Sequence, residues 1–138
     1  MKSILIVEDD PAIILFYKKV LADSNKWNVT FSESFYESLV LLEDNVYDYV
    51  ISDGNVREES MNGFEFLEKV KTSSPKMFRF LISGTIYPEN NDYSTFHVFI
   101  DKQKLNGKEL LEILDYLCYE DNDLPEHLYS NIIIGYSS

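Results

Sequence analysis

Short apolar runs alternate with longer amphipathic stretches along most of the chain. The apolar runs predict five strands, over residues 3–7, 27–31, 46–52, 77–82 and 96–100. The amphipathic stretches place apolar side chains at helical spacing and predict four helices, over residues 11–22, 34–44, 62–72 and 105–119. Strands that alternate with helices indicate βαβ units, and therefore a parallel sheet with helices on both faces.

Three of the predicted helices begin with capping residues. Asp10 precedes Pro11, and proline is favoured at the first helical position, so we interpret Asp10 as an N-cap rather than a metal ligand. Ser34 and Asn106 each stand three residues before a glutamate, which is the spacing of a capping box. These signals support the predicted helix starts.

The stretch between the fourth and fifth predicted strands shows no helical period. Residues 84–96 read GTIYPENNDYSTF, with one proline and two asparagines. A doubly wound chain would place a helix between these strands. We therefore expect the helix between the fourth and fifth strands to be shortened or missing.

Composition and charge narrow the class of protein. The 138 residues are of ordinary single-domain size, and 45% apolar content favours a folded globule. Acidic residues outnumber basic ones 24 to 12, so direct binding to nucleic acid or to an anionic membrane is disfavoured. The N-terminal apolar run is too short for a signal peptide and Cys118 is the only cysteine, so we expect a cytoplasmic protein.

Reactive side chains follow the predicted strands at their carboxyl ends, where ligands bind in open parallel sheets. They are Glu8 and Asp9 after the first strand, Asp53 after the third, Ser83 after the fourth and Lys102 near the end of the fifth. Neighbouring carboxylates repel one another unless a cation holds them, and Mg²⁺ prefers oxygen ligands. The pattern predicts a Mg²⁺ site at this edge, with Asp53 on the central strand as the nucleophile.

These separated positions resemble the receiver domain of two-component response regulators, over residues 3–119. The resemblance implies a stand-alone, CheY-like α/β domain with a doubly wound, flavodoxin-like, five-stranded parallel sheet in the order 2-1-3-4-5. It implies a signalling protein rather than an enzyme. Such a protein takes a phosphoryl group from a histidine kinase or a phosphotransfer protein and then acts on a downstream protein target.

The resemblance also implies a role for each residue of the metal site. Asp53 would accept the phosphoryl group. Mg²⁺ would be coordinated directly by Asp9 and Asp53, by the backbone carbonyl of Asn55, and through water by Glu8.

Two further roles concern the phosphoryl group and the response to it. Ser83 would hydrogen-bond the phosphoryl oxygens, and Lys102 would pair with them as a point charge. Phe99 occupies the aromatic switch position, where the ring is drawn inward when the Ser83 hydroxyl moves toward the phosphoryl group.

The chain departs from the family pattern in several places. Gln103 stands where the family has a proline, usually in a cis peptide. The loop after Asp53 is longer than usual and lacks its customary proline near Arg57. The missing helix is normally part of the output face. His97 is expected to be an exposed strand residue with no catalytic role.

The C-terminal residues are expected to lie outside the receiver domain. We assign residues 1–120 to the domain and residues 121–138 to a tail, with no separate output domain. The tail is too short for a DNA-binding domain and not basic enough for one. Its Ile132-Ile133-Ile134 run is interpreted as local packing, with an added edge strand or a partner contact as alternatives.

Other functions stay open at this point. A pseudo-receiver would have the same fold and act as a phosphorylation-independent protein-binding module, which the altered segment before the fifth strand favours. A phosphatase with an aspartyl nucleophile is disfavoured because Asn55 stands where its acid/base aspartate would be. Nucleotide binding is disfavoured because no glycine-rich phosphate loop follows the first strand.

Overall fold

The strands and helices alternate along the chain as predicted. The computed structural model describes residues 1–57, 60–117 and 131–136. Its strands are β1 (Lys2–Val7), β2 (Trp27–Ser32), β3 (Tyr49–Asp53), β4 (Phe78–Ser83), β5 (Val98–Asp101) and β6 (Ile132–Ile134). Its helices are α1 (Pro11–Val20), α2 (Phe35–Asp44), α3 (Gly63–Ser73) and α4 (Gly107–Tyr116), with short 3₁₀ turns at Asn90–Ser94 and Lys102–Lys104. Among the described helices, none has the length and apolar character that a membrane span needs.

All six strands run parallel in one sheet, in the order β2-β1-β3-β4-β5-β6. The predicted flavodoxin-like order of the first five strands is confirmed. The sixth strand was only one of three alternatives for the Ile132-Ile133-Ile134 run, and it pairs with β5 at the sheet edge. Residues 118–130, which include most of the predicted tail, lie outside the described part of the chain.

Each strand divides its side chains between two apolar cores, because successive residues point to opposite faces. In β1, Ile4 and Ile6 face the core under α1 and α4, whereas Leu5 and Val7 face the core under α2 and α3. Both cores are closed to solvent at the strands, as a parallel sheet covered on two faces requires. The capping prediction at Asp10 is confirmed, since its side chain accepts a hydrogen bond from the Ala12 N–H.

The expected loss of a helix before β5 is confirmed within the described residues. Only the 3₁₀ turn Asn90–Ser94 lies between β4 and β5. Aromatic rings take over the covering role of the missing helix on this face of the sheet, and Phe99 is fully buried beneath them. The rings in contact with Phe99 are Tyr87, Phe96 and Tyr136.

The prediction that His97 is exposed is wrong. His97 is only 9% exposed and lies just before β5, with its ring against Phe78. Its Nδ1 accepts a hydrogen bond from the Arg79 N–H at 3.0 Å, and its carbonyl accepts one from the Ile132 N–H of β6. Burial, followed by the charges of Arg79 and Lys71, lowers the pKa of His97 to about 3, so the ring is neutral.

The third predicted strand starts too early. Residues 46–48 precede β3, and the Val46 side chain is 92% exposed. Asp48 accepts hydrogen bonds from the N–H and hydroxyl of Ser3, which holds the loop against the start of β1.

Replacement of Gly63 by alanine should destabilise the fold, because a Cβ there would lie 2.6 Å from the Asp53 carbonyl oxygen and would also collide with Leu81. We expect a loss of about 1–3 kcal/mol in the free energy of unfolding, measured by chemical denaturation. Gly84→Ala is the matched control, since its Cβ would meet only the Lys102 Cβ at 3.5 Å. Equal effects of the two substitutions would contradict this account of the packing.

Candidate functional site

Three carboxylates meet where β1 and β3 end. Glu8 and Asp9 follow β1, Asp53 closes β3, and one oxygen from each lies within 4.8 Å of the other two. Parallel pairing of Val7 with Ser52 puts these ends side by side. Glu8 is 1% exposed and Asp53 is 9% exposed, whereas Asp9 is half-buried, so two of the three carboxylates are largely withdrawn from water. Its oxygen donors are the kind that Mg²⁺ prefers.

Lys102 brings a positive charge to the same edge. It follows β5, and its ammonium lies 3.2 Å from Glu8 Oε2 and 3.2 Å from Asp53 Oδ1. The following residue, Gln103, is reached through a trans peptide, since the described residues contain no cis bond. The Lys102 side chain is 24% exposed, so this bridge is only partly screened by water.

The electrostatics of the cluster show that its negative charges are not fully compensated. Burial, and then the charge of Asp53, raise the pKa of Glu8 from 4.5 to about 7, even though Lys102 and the backbone work against the shift. Burial acts to lower the pKa of Lys102, but the charges of Asp53 and Glu8 outweigh it and raise that pKa. The ammonium is therefore held in its charged form, whereas Glu8 binds a proton near neutral pH.

The two oxygens of Asp53 have different surroundings. Oδ1 accepts a hydrogen bond from the Gly54 N–H at 2.7 Å and lies 3.2 Å from the Lys102 ammonium. Oδ2 accepts no hydrogen bond from any described residue. One oxygen of this carboxylate is thus anchored, and the other is open to a ligand or to a new bond.

Ser83 ends β4 and packs against Gly54, the residue after Asp53, which has no side chain to block the approach. A Cβ at Gly54 would collide with the Ser83 hydroxyl and lie 2.7 Å from Ile86. The Ser83 oxygen accepts hydrogen bonds from the Thr85 N–H at 3.2 Å and the Ile86 N–H at 3.0 Å. Asp-Gly is a common turn dipeptide, but such a turn does not by itself indicate this close packing.

Asn55 is the second residue after Asp53, in the loop that follows β3. Its amide donates to the Thr85 hydroxyl at 2.8 Å, which ties the loop after β3 to the loop after β4. Its backbone carbonyl accepts no hydrogen bond from the described residues. Its role as a metal ligand stays a prediction.

Sequence reasoning missed the contact between Arg57 and Asp9. The Arg57 N–H donates to Asp9 Oδ2 at 2.7 Å, and the Arg57 guanidinium pairs with Glu33 at 2.7 Å. Arg57 adopts φ = 49°, a conformation that non-glycine residues rarely take. The contact orients the Asp9 carboxylate, and no sequence signal marks it.

Tyr17 lies on α1, within the stretch that the sequence predicts only as an amphipathic helix. The structure buries it to 2% exposure, and its hydroxyl makes no hydrogen bond with the described residues. Burial, followed by the charges of Glu8 and Asp53, raises its pKa well above 10.0. The phenol is therefore neutral and buried, and it is close enough to Glu8 and Asp53 for their charges to affect its pKa.

Phe99 does not belong to the acidic cluster. It pairs with Leu81 across β4 and β5 and points into the core under α3. The structure therefore brings Glu8, Asp9, Asp53 and Lys102 together, places Ser83 against Gly54, and leaves Phe99 in a separate apolar layer.

The family of the chain follows from its sequence. The model of the response regulator receiver domain matches residues 4–95, which is more than half of the chain. The chain belongs to the response regulator receiver domain family. Receiver domains are signalling modules of phosphoryl-accepting response regulators. No curated protein gives a significant match.

Solved receiver domains share the fold. A CheY-like receiver domain from Methanospirillum hungatei is 28% identical with a TM-score of 0.71, covering 85% of this chain and 94% of its own. The Thermotoga maritima response regulator TrrA, in complex with Mg²⁺ and BeF, is 24% identical with a TM-score of 0.74, covering 86% and 100%. The chemotaxis regulator CheY4 of Vibrio cholerae is 23% identical with a TM-score of 0.72, covering 86% and 99%.

The raised pKa of Glu8 predicts how stability changes with pH in the absence of divalent cations. The folded chain holds a proton on Glu8 up to about pH 7, whereas the unfolded chain releases it near 4.5. The stabilising contribution of this proton is complete below 4.5 and is lost as pH rises through 7. Relative to Glu8→Gln, the native chain should lose about 1–3 kcal/mol between about pH 5 and about pH 8.

The measurement is chemical denaturation of both proteins across this pH range, with a chelator present. The glutamine variant keeps the shape of the side chain but cannot titrate. If the free energy of unfolding of the two proteins changed with pH in the same way, the pKa of Glu8 would not be raised in the folded chain, and the prediction would be wrong.

Proposed function

We propose that this receiver domain accepts a phosphoryl group on Asp53 in a Mg²⁺-dependent reaction and then signals through protein contacts. The observation that carries the proposal is the open Oδ2 of Asp53, in a carboxylate whose other oxygen is anchored by Gly54 and Lys102. Phosphoryl transfer needs positioning and charge neutralisation more than covalent assistance. This edge of the sheet supplies both.

The donor set fits Mg²⁺. Asp9 and Asp53 would hold the ion directly, the backbone carbonyl of Asn55 would add a third oxygen, and Glu8 would act through water. Three carboxylates with oxygens within 4.8 Å leave an excess of negative charge beside a single ammonium. The ion supplies the positive charge that lets an anionic phosphodonor approach Asp53.

The chain's own residues have definite tasks in the transfer. Asp53 Oδ2 attacks the phosphorus of a phosphohistidine, the new O–P bond forms as the P–N bond breaks, and the imidazole leaves. Lys102 neutralises charge on the transferred oxygens. Ser83, whose hydroxyl proton is not used in any described hydrogen bond, donates to one of those oxygens.

The donor would be a histidine kinase or a phosphotransfer protein, and the recipient of the signal a downstream protein. The alternative is a pseudo-receiver that binds its partner without phosphorylation. The altered segment before β5 is its one supporting feature, whereas the complete set of carboxylates, Ser83 and Lys102 supports phosphorylation. The next experiment separates the two functions.

Asp53→Asn should abolish phosphorylation while leaving the fold intact, because the amide cannot act as the nucleophile. The wild-type chain should form one acyl phosphate with a small phosphodonor and Mg²⁺, and one adduct with beryllofluoride, detected by mass spectrometry and NMR. Asp23→Asn changes an exposed aspartate outside the cluster and should behave as wild type. Labelling that persists in Asp53→Asn would contradict the assignment, and an unlabelled wild-type chain would favour the pseudo-receiver.

Asp9→Ala should weaken Mg²⁺ binding by at least about tenfold, because a directly coordinating carboxylate is lost. Calorimetric titration of the metal-free protein measures the change. Asp10→Ala is the neighbouring control, since Asp10 caps α1 and should affect stability rather than metal affinity. If Asp9→Ala binds Mg²⁺ as tightly as wild type, the acidic cluster is only a charged surface.

A further inference from the structure

The C-terminal strand covers the edge of β5 that faces away from the rest of the sheet. Ile132, Ile133 and Ile134 pair in parallel with Val98, Phe99 and Ile100. The Ile132 N–H donates to the His97 carbonyl at 2.9 Å. Residues 131–136, which we call the latch, therefore satisfy backbone groups that an edge strand would otherwise leave unpaired.

Side chains fasten both ends of the latch. The Asn131 amide donates to the carbonyls of Tyr93 at 3.0 Å and Phe96 at 2.6 Å, so it holds the segment that replaces the missing helix. Tyr136 stacks on Tyr87 with ring centroids 5.2 Å apart and meets Phe99 edge-on at 5.9 Å. The latch thus covers the ring of Phe99, the residue at the aromatic switch position.

A short path connects the latch to the proposed phosphorylation site. The Ser83 oxygen accepts the N–H groups of Thr85 and Ile86, and Tyr87 is the next residue. Both bonds end on the Ser83 hydroxyl oxygen, at 3.2 Å from the Thr85 nitrogen and 3.0 Å from the Ile86 nitrogen, so a displacement of Ser83 toward a phosphoryl oxygen would lengthen and weaken them. The backbone leading to Tyr87 would then shift, which leaves the Tyr87 ring held against Tyr136 only by the stacking itself and by a 3.4 Å hydrogen bond from its hydroxyl to Asp101.

We propose that the latch occupies a strand-binding edge on β5, and that a phosphoryl group on Asp53 loosens it through Ser83 and Tyr87. The uncovered edge takes an extended apolar segment of the downstream protein in the same parallel position. The resident latch shows the chemistry of that segment: three β-branched residues that complete a sheet, followed by an aromatic ring for Tyr87 and Phe99. The coupling rests on the proposed function.

Thermodynamic reciprocity gives the first test. If activation loosens the latch, a weaker latch must favour activation by the same factor. Tyr136→Ala removes the stacked ring and Asn131→Ala removes the two anchoring hydrogen bonds, and each should tighten beryllofluoride binding in Mg²⁺ by about tenfold. Tyr36→Ala, which removes an exposed tyrosine ring on α2, should leave the affinity unchanged.

Hydrogen exchange in the wild-type chain gives the second test. Exchange at the Ile132 amide, which donates to the His97 carbonyl, should accelerate at least about tenfold when beryllofluoride binds, while the amides of β1 stay protected. A fluorescent peptide of residues 130–138 should bind the activated chain and the Tyr136→Ala variant at least about tenfold more tightly than the resting wild type.

The outcomes distinguish the two proposals. An adduct at Asp53 with unchanged exchange in β6, or with the same affinity in the latch variants, would overturn the coupling and leave the proposed function intact. Equal peptide binding to the resting and activated chains would overturn the strand-binding edge. No adduct in any variant would contradict the proposed function, and the coupling would fall with it.

Discussion

Repulsion among three carboxylates is the interaction on which the rest of the site depends. Two unit charges 4.8 Å apart repel by about 3 kcal/mol at an effective dielectric constant of about 20. With all three acids ionised, the single Lys102 ammonium leaves a net charge of −2 (three negative, one positive) in a largely buried place. The fold relieves part of this by keeping a proton on Glu8 near neutral pH. A divalent cation in place of the proton would reduce the repulsion further. This edge of the sheet therefore favours the binding of a cation.

The register of the sheet brings the charges together. Val7 pairs with Ser52, so the residues that follow them, Glu8 and Asp53, lie side by side at one edge. Ser83 pairs with Asp101, which sets Lys102 next to the end of β4. A shift of one residue in the pairing register of a strand would turn its side chains to the opposite face of the sheet and would separate the members of the acidic cluster. The apolar cores that prevent such a slip are therefore part of the site's chemistry.

Local sequence patterns were sufficient to predict the strands and the residues that follow them, because these depend on interactions between residues close together in the chain. Apolar runs predicted five strands, the resemblance to receiver domains implied their order, and the residues after those runs predicted the members of the acidic cluster. His97 was misplaced because its ring packs on Phe78 and accepts a hydrogen bond from the Arg79 N–H, contacts with the neighbouring strand that the local pattern around His97 does not show. The hydrogen bond from Arg57 to Asp9 requires a left-handed backbone at a non-glycine residue, and no sequence rule indicates that.

The missing helix and the added strand solve one packing problem together. Phe99 needs an apolar cover on its face of the sheet, and a cover formed from Tyr87, Phe96 and Tyr136 supplies it without a helix. A stacked aromatic pair contributes about 0.5–1.5 kcal/mol beyond its buried area. That is close to the roughly 1–3 kcal/mol by which one site usually influences another. A complete helix docked across the same face would bury more surface and cost more to displace. A three-residue strand held by one tyrosine and one asparagine is a smaller cover, and it is therefore a closer match to the free energy that one site supplies to another.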